Sequence, residues 1–336
     1  MTKASGGLQA ALTRYCGKAR ARVGVGYMSL VGGESAWVDP GSKFATASVF
    51  KVFVLADLLR RFDEGRLDPA ARVELKDSDR ATGSGVLQYV GEGAPLRLRD
   101  YARLMMIISD NTAADVLFGY LGPDSIADTV SWLGLRDTSV RSTCKDILAY
   151  ELRTDEVRGY LRILGLDPGG TKDEAFGLLR RNIHRLSGVH PLGELGALLK
   201  EEERKRPGGQ KGPTDDDVTS PRDLVATFRR VYSERALGKF SDEFLEIMAA
   251  CETGANRIRR GIPKDAVLAH KTGTLRGVVN DAGIVMRGED AYALAVLVND
   301  IPTAGNVRYT RRGEKIISDV SGMVWRARST PSRSSA

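Results

Sequence analysis

Residues 46–62, TASVFKVFVLADLLRRF, constrain this chain more than any other stretch. From Val49 to Leu59 nearly every position is apolar, so a helix here has no face suited to water and must lie inside a core. Lys51 stands near the start of that helix, three residues after Ser48. Burying an ammonium group is costly unless it is paired or gives up its proton. The fold must therefore be large enough to surround a helix and must have a use for a cation inside it. A chain of 336 residues meets the first need as one large domain or two intergrown ones.

Several function classes fall away on composition. The net charge is +7, but the basic residues are scattered, and the denser run from Lys200 to Lys211 is mixed with glutamates, so nucleic acid is not an expected partner. Cys16, Cys144 and Cys251 are far apart and odd in number, which makes neither a disulfide framework nor a metal-ligand pattern. His184, His190 and His270 are no better placed, so no metal or cofactor is expected. The opening MTKASGGLQAALTRYCGKARAR carries no secretory apolar run, and no later segment is long and apolar enough to span a bilayer. Taken as a native start, this points to a cytoplasmic protein, with a monomer and a small-molecule partner as the expectations.

Along the chain, residues 6–20 predict a short helix, and RVGVGYMSL with ESAWVDP predict a two-stranded hairpin. Residues 66–100 read as irregular, with a glycine-rich turn at Thr82-Gly83-Ser84-Gly85. Helices follow in DYARLMMII, TAADVLFGYLG and DSIADTVSWLG. EAFGLLRRNIHRL and ELGALLKEEERKR predict amphipathic helices, with PGGQKGPTDDD a polar loop after them. Ser220 and Pro221 suit the cap and first turn of another helix, DEFLEIMAAC makes one more, and a final helix falls near 313–327. VLAHKTGT, VVNDAGIVM and YALAVLVND predict antiparallel strands.

The fold class is therefore α+β: an antiparallel sheet flanked by helices, with an all-helical lobe inserted in it. The sheet unit takes residues 1–45 and 222–328, the helical lobe 46–221, and residues 329–336 form a disordered tail.

The chemistry lies in three short motifs. Ser48 and Lys51, three apart on a helix, share a face, and a lysine that sheds its proton can activate a serine beside it. Ser109-Asp110-Asn111 breaks the chain between two helices, and Lys271-Thr272-Gly273 lies on a strand. S-x-x-K, S-D-N and K-T-G, in this order and in these settings, are the motif set of class A β-lactamases and penicillin-binding proteins. The chain resembles the class A β-lactamase family of penicillin-recognising serine enzymes. GSGVLQ, SDNTAAD, TSPRDL and HKTGTLRGVVNDAGIV add to the resemblance, which covers all but roughly residues 150–215.

The resemblance implies that Ser48 is the acylated nucleophile and Lys51 its general base or proton relay. It implies that Ser109 passes a proton to the leaving nitrogen and that Asn111 binds the substrate's side-chain amide. Lys271, Thr272 and Gly273 would hold a substrate carboxylate along the strand, and the N–H groups of Ser48 and Thr274 would form an oxyanion hole. His270 alternates to the other face of the strand from Lys271, where a packing role is expected.

One departure bears on mechanism. The family carries a glutamate, in an E-x-x-L-N context, that activates the water releasing the acyl group, and no such string occurs here. Spacing puts Lys145-Asp146 near that position, with Glu151 several residues off and a family-atypical insertion near 150–215. Asp146 is the candidate base, one methylene short. The expected activity is that of a serine hydrolase of class A β-lactamase type, acylated at Ser48 by a β-lactam or related amide or ester, with slow or altered deacylation. The alternatives are an esterase, peptidase or transacylase of small-molecule biosynthesis, or a non-catalytic penicillin-binding or sensor protein.

Overall fold

The structure is a computed structural model that describes residues 3–151, 161, 165–167, 178, 217–303 and 309–329. In chain order, α1 (Lys3–Gly17) precedes a hairpin of β1 (Arg22–Ser29) and β2 (Ser35–Val38), then the short β3 (Phe44–Ala45). A tight 3₁₀ turn, Ala47–Phe50, leads directly into α2 (Lys51–Asp63). The short strands β4 (Arg72–Glu74) and β5 (Pro95–Arg97) follow, then α3 (Leu98–Ile107), α4 (Asn111–Leu121), α5 (Pro123–Trp132) and α6 (Cys144–Glu151). After β6 (Val218–Thr219) come α7 (Pro221–Tyr232), α8 (Ser241–Ala249) and the single turn α9 (Ile258–Gly261). The strands β7 (Val267–Leu275), β8 (Val278–Arg287) and β9 (Asp290–Asn299) precede α10 (Tyr309–Ser329).

The main sheet is antiparallel throughout, in the order β2-β1-β9-β8-β7. It joins the two ends of the chain, because β1 pairs with β9 from Arg22↔Asn299 to Ser29↔Tyr292. β9 is apolar on both sides: Leu294, Val296 and Val298 face a core shared with α1 and α10, while Ala293, Ala295 and Leu297 face the core that holds α2. Strand alternation thus makes one strand serve two cores. β7 lies at the edge of the sheet, so one side of its backbone faces the 3₁₀ turn ahead of α2.

α2 is buried as its composition requires, with Lys51 through Leu59 all inaccessible. Asp57, in its middle, is fully buried and accepts hydrogen bonds from the Ser125 hydroxyl (2.8 Å) and the Thr129 hydroxyl (2.6 Å), with Arg61 at 3.5 Å. These bonds dock α5 against α2.

Most sequence expectations hold, including the N-cap of α7, where the Ser220 hydroxyl accepts from Asp223 N. Three differ. Ser48 lies in the 3₁₀ turn, one turn ahead of the α-helix rather than in it. The span 66–100 contains a small hairpin, Arg72↔Arg97 to Glu74↔Pro95, whose three-residue strands are too short to show a period of two. Helix α10 runs to Ser329, so the first residue of the expected tail is helical. Apart from Leu178 and Asp217, the two amphipathic helices expected in 174–206 and the loop after them lie outside the described residues, as do residues 330–336.

Replacing Asp57 by alanine should lower stability by about 2–4 kcal/mol, because two hydroxyls and a guanidinium then lose a buried acceptor. Urea unfolding followed by circular dichroism would measure it.

Candidate active site

The approach to Ser48 is held by its neighbours. Ala47 is buried with φ of +45°, a left-handed conformation that a side chain tolerates only when its surroundings impose it. Here they do. Asn280 Nδ2 donates to Ala45 O (2.8 Å) and Thr46 O (3.1 Å), Asn299 Oδ1 accepts from Ala45 N (2.8 Å), and Thr46 N donates to Asp217 O (3.0 Å). The strained turn leaves Ser48 partly exposed while Val49 and Phe50 are buried on either side of the entry to α2.

β7 runs against this turn. A Cβ placed on Gly273 would lie 2.7 Å from Thr46 O, 2.9 Å from Ala47 Cβ and 3.1 Å from Ser48 N. Only glycine permits this approach, and it sets the edge strand beside the serine.

Lys51 and Lys271 are both fully buried, one from each wall of the site. The Lys51 ammonium donates to Ser109 O (2.8 Å), Ser109 Oγ (3.3 Å), Asp110 O (3.5 Å) and Asn111 Oδ1 (2.9 Å). Lys271 Nζ donates to the same Ser109 Oγ (2.9 Å) and to Thr272 O (2.8 Å). Ser109 therefore bridges two amines. Burial, reinforced by the charge on Lys51, pushes the Lys271 amine down to about 7. Ser109 itself has φ of +59°, a second strained residue at the site.

Asp110 fixes that strained corner. Its Oδ1 accepts from Ala113 N (2.9 Å) as the cap of α4, and its Oδ2 accepts from Val86 N (2.6 Å) and Leu87 N (2.9 Å). The glycine-rich turn fits against it: Gly85 has φ of +107°, and a Cβ there would stand 2.2 Å from Asp110 Cγ. Asn111 is tied to the same loop, its Nδ2 donating to Thr82 O (2.8 Å).

Thr272 is buried and Thr274 exposed, both on β7. Arg257, which sequence reading did not single out, is buried behind the strand. Its guanidinium donates to Gly273 O (3.1 Å), Asn280 O (2.8 Å) and Thr274 Oγ1 (2.6 Å). No motif marks it, because only the pairing of β7 with β8 brings its acceptors together.

Asp146 caps a helix. Its Oδ2 accepts from Thr143 N (2.9 Å) and Thr143 Oγ1 (2.8 Å), and its own N–H donates to Thr143 Oγ1 (3.1 Å), a reciprocal cap at the start of α6. Asp115, four residues past Asn111, takes the backbone N–H groups of Cys144 (2.6 Å) and Lys145 (3.1 Å) instead. Burial raises this carboxyl to about 6 against those hydrogen bonds and the nearby lysines. His270 is buried, and its Nδ1 lies 2.7 Å from Asp281 Oδ1. Among the described residues, no group of three or more His, Cys, Asp or Glu side chains could hold a metal ion, and no helix is long and apolar enough to cross a membrane.

Residues 7–327 match the β-lactamase enzyme family. The chain belongs to that family. It is 32% identical to β-lactamase PSE-4 of Pseudomonas aeruginosa over 120 residues, which make up 35% of this chain and 41% of that relative. The extended-spectrum β-lactamase PER-1 of Pseudomonas aeruginosa is 23% identical over 313 residues, 90% of this chain and 81% of PER-1. Among solved structures, TLA-1 extended-spectrum β-lactamase superposes with a TM-score of 0.71 at 19% identity, over 98% of this chain and 100% of that one. That likeness places the chain in the β-lactamase fold, α+β with its antiparallel sheet between helices.

Two outcomes follow for this β-lactamase-family site. In Gly273→Ala the new methyl meets backbone that cannot move cheaply, so β7 must retreat from Ser48. A displacement near 1 Å costs on the order of a hundredfold in rate, read as slower labelling by a fluorescent penicillin. The second concerns pH. If the Lys271 cation holds the substrate carboxylate, labelling of the free protein should fall as pH rises through about 7, where that amine loses its charge. Lys271→Arg keeps the charge and should move this limb to higher pH in a stopped-flow pH series.

Proposed function

We propose that the protein is a serine hydrolase of β-lactamase type, acylated at Ser48 by a β-lactam or a related amide or ester bearing a carboxylate. The observation that carries this is the bridge from Lys51 through Ser109 Oγ to Lys271, on the strand whose Gly273 approaches Ser48 N. Family membership and the likeness to PSE-4 and PER-1 support it.

In this reading Ser48 Oγ attacks the substrate carbonyl, and its proton passes to Lys51, acting as general base or relay. Ser109 hands a proton to the leaving nitrogen and is resupplied across the bridge. The N–H groups of Ser48 and Thr274 receive the developing oxyanion, where each donor is worth about 2.7–4 kcal/mol. Lys271, Thr272, Gly273 and Thr274 hold the substrate carboxylate along the open edge of β7, with Arg257 adding positive charge from behind. Asn111 takes the substrate's side-chain amide by its Nδ2, its Oδ1 being engaged by Lys51.

Release of the acyl group needs a base within reach of a water molecule. Asp146 is held at the start of α6 by the bonds of its Oδ2 to Thr143, and Asp115 is directed at backbone N–H groups. Slow deacylation is the outcome this arrangement favours, with the acyl-enzyme accumulating.

Intact-mass spectrometry over time with a penicillin tests the whole reading. The expected result is one covalent adduct per chain that builds up and decays slowly, and none in Ser48→Ala. An adduct in Ser48→Ala would overturn the choice of nucleophile. Rapid consumption of the penicillin with no adduct at any time would overturn slow release while leaving Ser48 in place.

A further inference from the structure

On the side of the sheet opposite α2, helices α1, α9 and α10 pack over the core that Leu294, Val296 and Val298 share. These three helices hold nine basic residues and two acids, a balance of +7 that equals the net charge of the whole chain. The remaining residues therefore cancel. Basic residues that are scattered along the sequence are gathered on one side of the sheet by the packing of these helices.

A cavity of about 450 Å³ opens where the three helices meet. Tyr15 of α1, Arg260 of α9, and Asp319, Met323 and Arg326 of α10 line it. Its floor is the close contact of α9 with α10. A Cβ on Gly261 would stand 2.5 Å from Ser321 Cβ and 2.6 Å from Gly322 N, and the buried Ser321 hydroxyl donates to Ile258 O (3.0 Å). A Cβ on Gly322 would stand 3.1 Å from Arg326 Nη1, so the guanidinium lies over the glycine with no side chain between.

The acids near the cavity are engaged by cations. Asp319 Oδ2 accepts from the Tyr15 hydroxyl (2.5 Å) and from the Lys315 ammonium (2.8 Å). Burial pushes this carboxyl up, but Lys315, Tyr15 and Arg326 outweigh it and hold it below the usual range. Glu314, the other acid of α10, is 3.8 Å from Arg257 Nε. On α9, Arg259 donates to the carbonyls of Ala266 and Pro263, whereas the Arg260 guanidinium makes no hydrogen bond or ion pair among the described residues. Arg260, Arg326 and Lys315 set against Asp319 leave the lining cationic.

We propose that this cavity binds a small organic molecule by its phosphate monoester, with the dianion held by Arg260 and Arg326. Guanidinium forks match phosphate oxygens in charge and geometry. A monocarboxylate would answer one fork and leave the other cation unmatched. The cavity falls in the size range of small-molecule sites and exceeds what a phosphate alone would fill, so an organic body belongs with it, against the Tyr15 ring and Met323. A phospholipid headgroup offers the same phosphate chemistry. The site lies across the sheet from Ser48, and nothing in it depends on the reading of that serine.

The test is isothermal titration calorimetry of the full chain in phosphate-free buffer, with phenyl phosphate as the probe. One site per chain is expected, weakening as salt rises. Arg260→Gln and Arg326→Gln should each weaken binding by about tenfold or more. Arg14→Gln removes an exposed charge of α1 that does not line the cavity, and should change the affinity by no more than about twofold. If Arg326→Gln fails to fold by circular dichroism, the exposed Arg260 carries the comparison with Arg14. Benzoate, a monoanion of similar size, should bind more weakly, and equal binding would overturn the choice of phosphate. Co-sedimentation with phosphatidylglycerol vesicles separates the two sources. Vesicle binding that is lost in Arg260→Gln, with no binding of phenyl phosphate, supports the phosphate site and assigns it to a lipid headgroup. No binding of either probe, or equal losses in the cavity variants and Arg14→Gln, would overturn the site.

Discussion

Two lysine amines, buried on opposite walls and joined by one serine hydroxyl, are the constraint around which the rest of the structure is arranged. Two like charges bonded to one oxygen repel by a few kcal/mol even at an effective dielectric near 20. A fold accepts that cost only where other interactions hold the charges in place. Lys51 is surrounded by carbonyl and amide oxygens of residues 109–111, and Lys271 gains the carbonyl of Thr272 and a lowered proton affinity. The Ser109 hydroxyl between them is left with an amine on each side. Such a pair is costly for stability and useful for moving a proton.

The scaffold around the site supplies rigidity where strain is stored. Ala47 and Ser109 both hold positive φ, and each is over-determined by its neighbours. Asn280 and Asn299 fasten the turn before Ser48 to the centre of the sheet. Asp110 fastens the corner at Ser109 to both α4 and the loop at 86–87. Conformations that cost on the order of 1–3 kcal/mol each persist only with such support. Gly273 and Gly85 complete the arrangement by occupying places where any side chain would collide with backbone or with Asp110.

The two faces of β7 divide the chemistry. Toward the helical side the strand presents Lys271 and Gly273 to Ser48 and Ser109; on the other face His270, Thr272 and Asp281 meet the segment that carries Cys251 and Arg257. Thr272 belongs to both, since its hydroxyl bonds Thr253 while its carbonyl accepts from Lys271. A change on one face therefore has a direct path to the other, one hydrogen bond long.

The sequence by itself determined the local features. The apolar run fixed a buried helix, short strand-like runs separated by turns fixed β1, β7, β8 and β9, Ser220-Pro221 fixed the start of α7, and three short motifs marked Ser48, Lys51, Ser109 and Lys271. These are legible because periodicity and capping act between residues close in the chain. The pairing of β1 with β9, the partners of Arg257, the capping role of Asp146 and the meeting of His270 with Asp281 were decided by tertiary structure. The same holds for the placement of Ser48 in a strained turn ahead of α2, which depends on side chains more than 230 residues away. Burial, charge repulsion and close backbone approach depend on distance in space, and a linear pattern carries no record of which distant residues become neighbours.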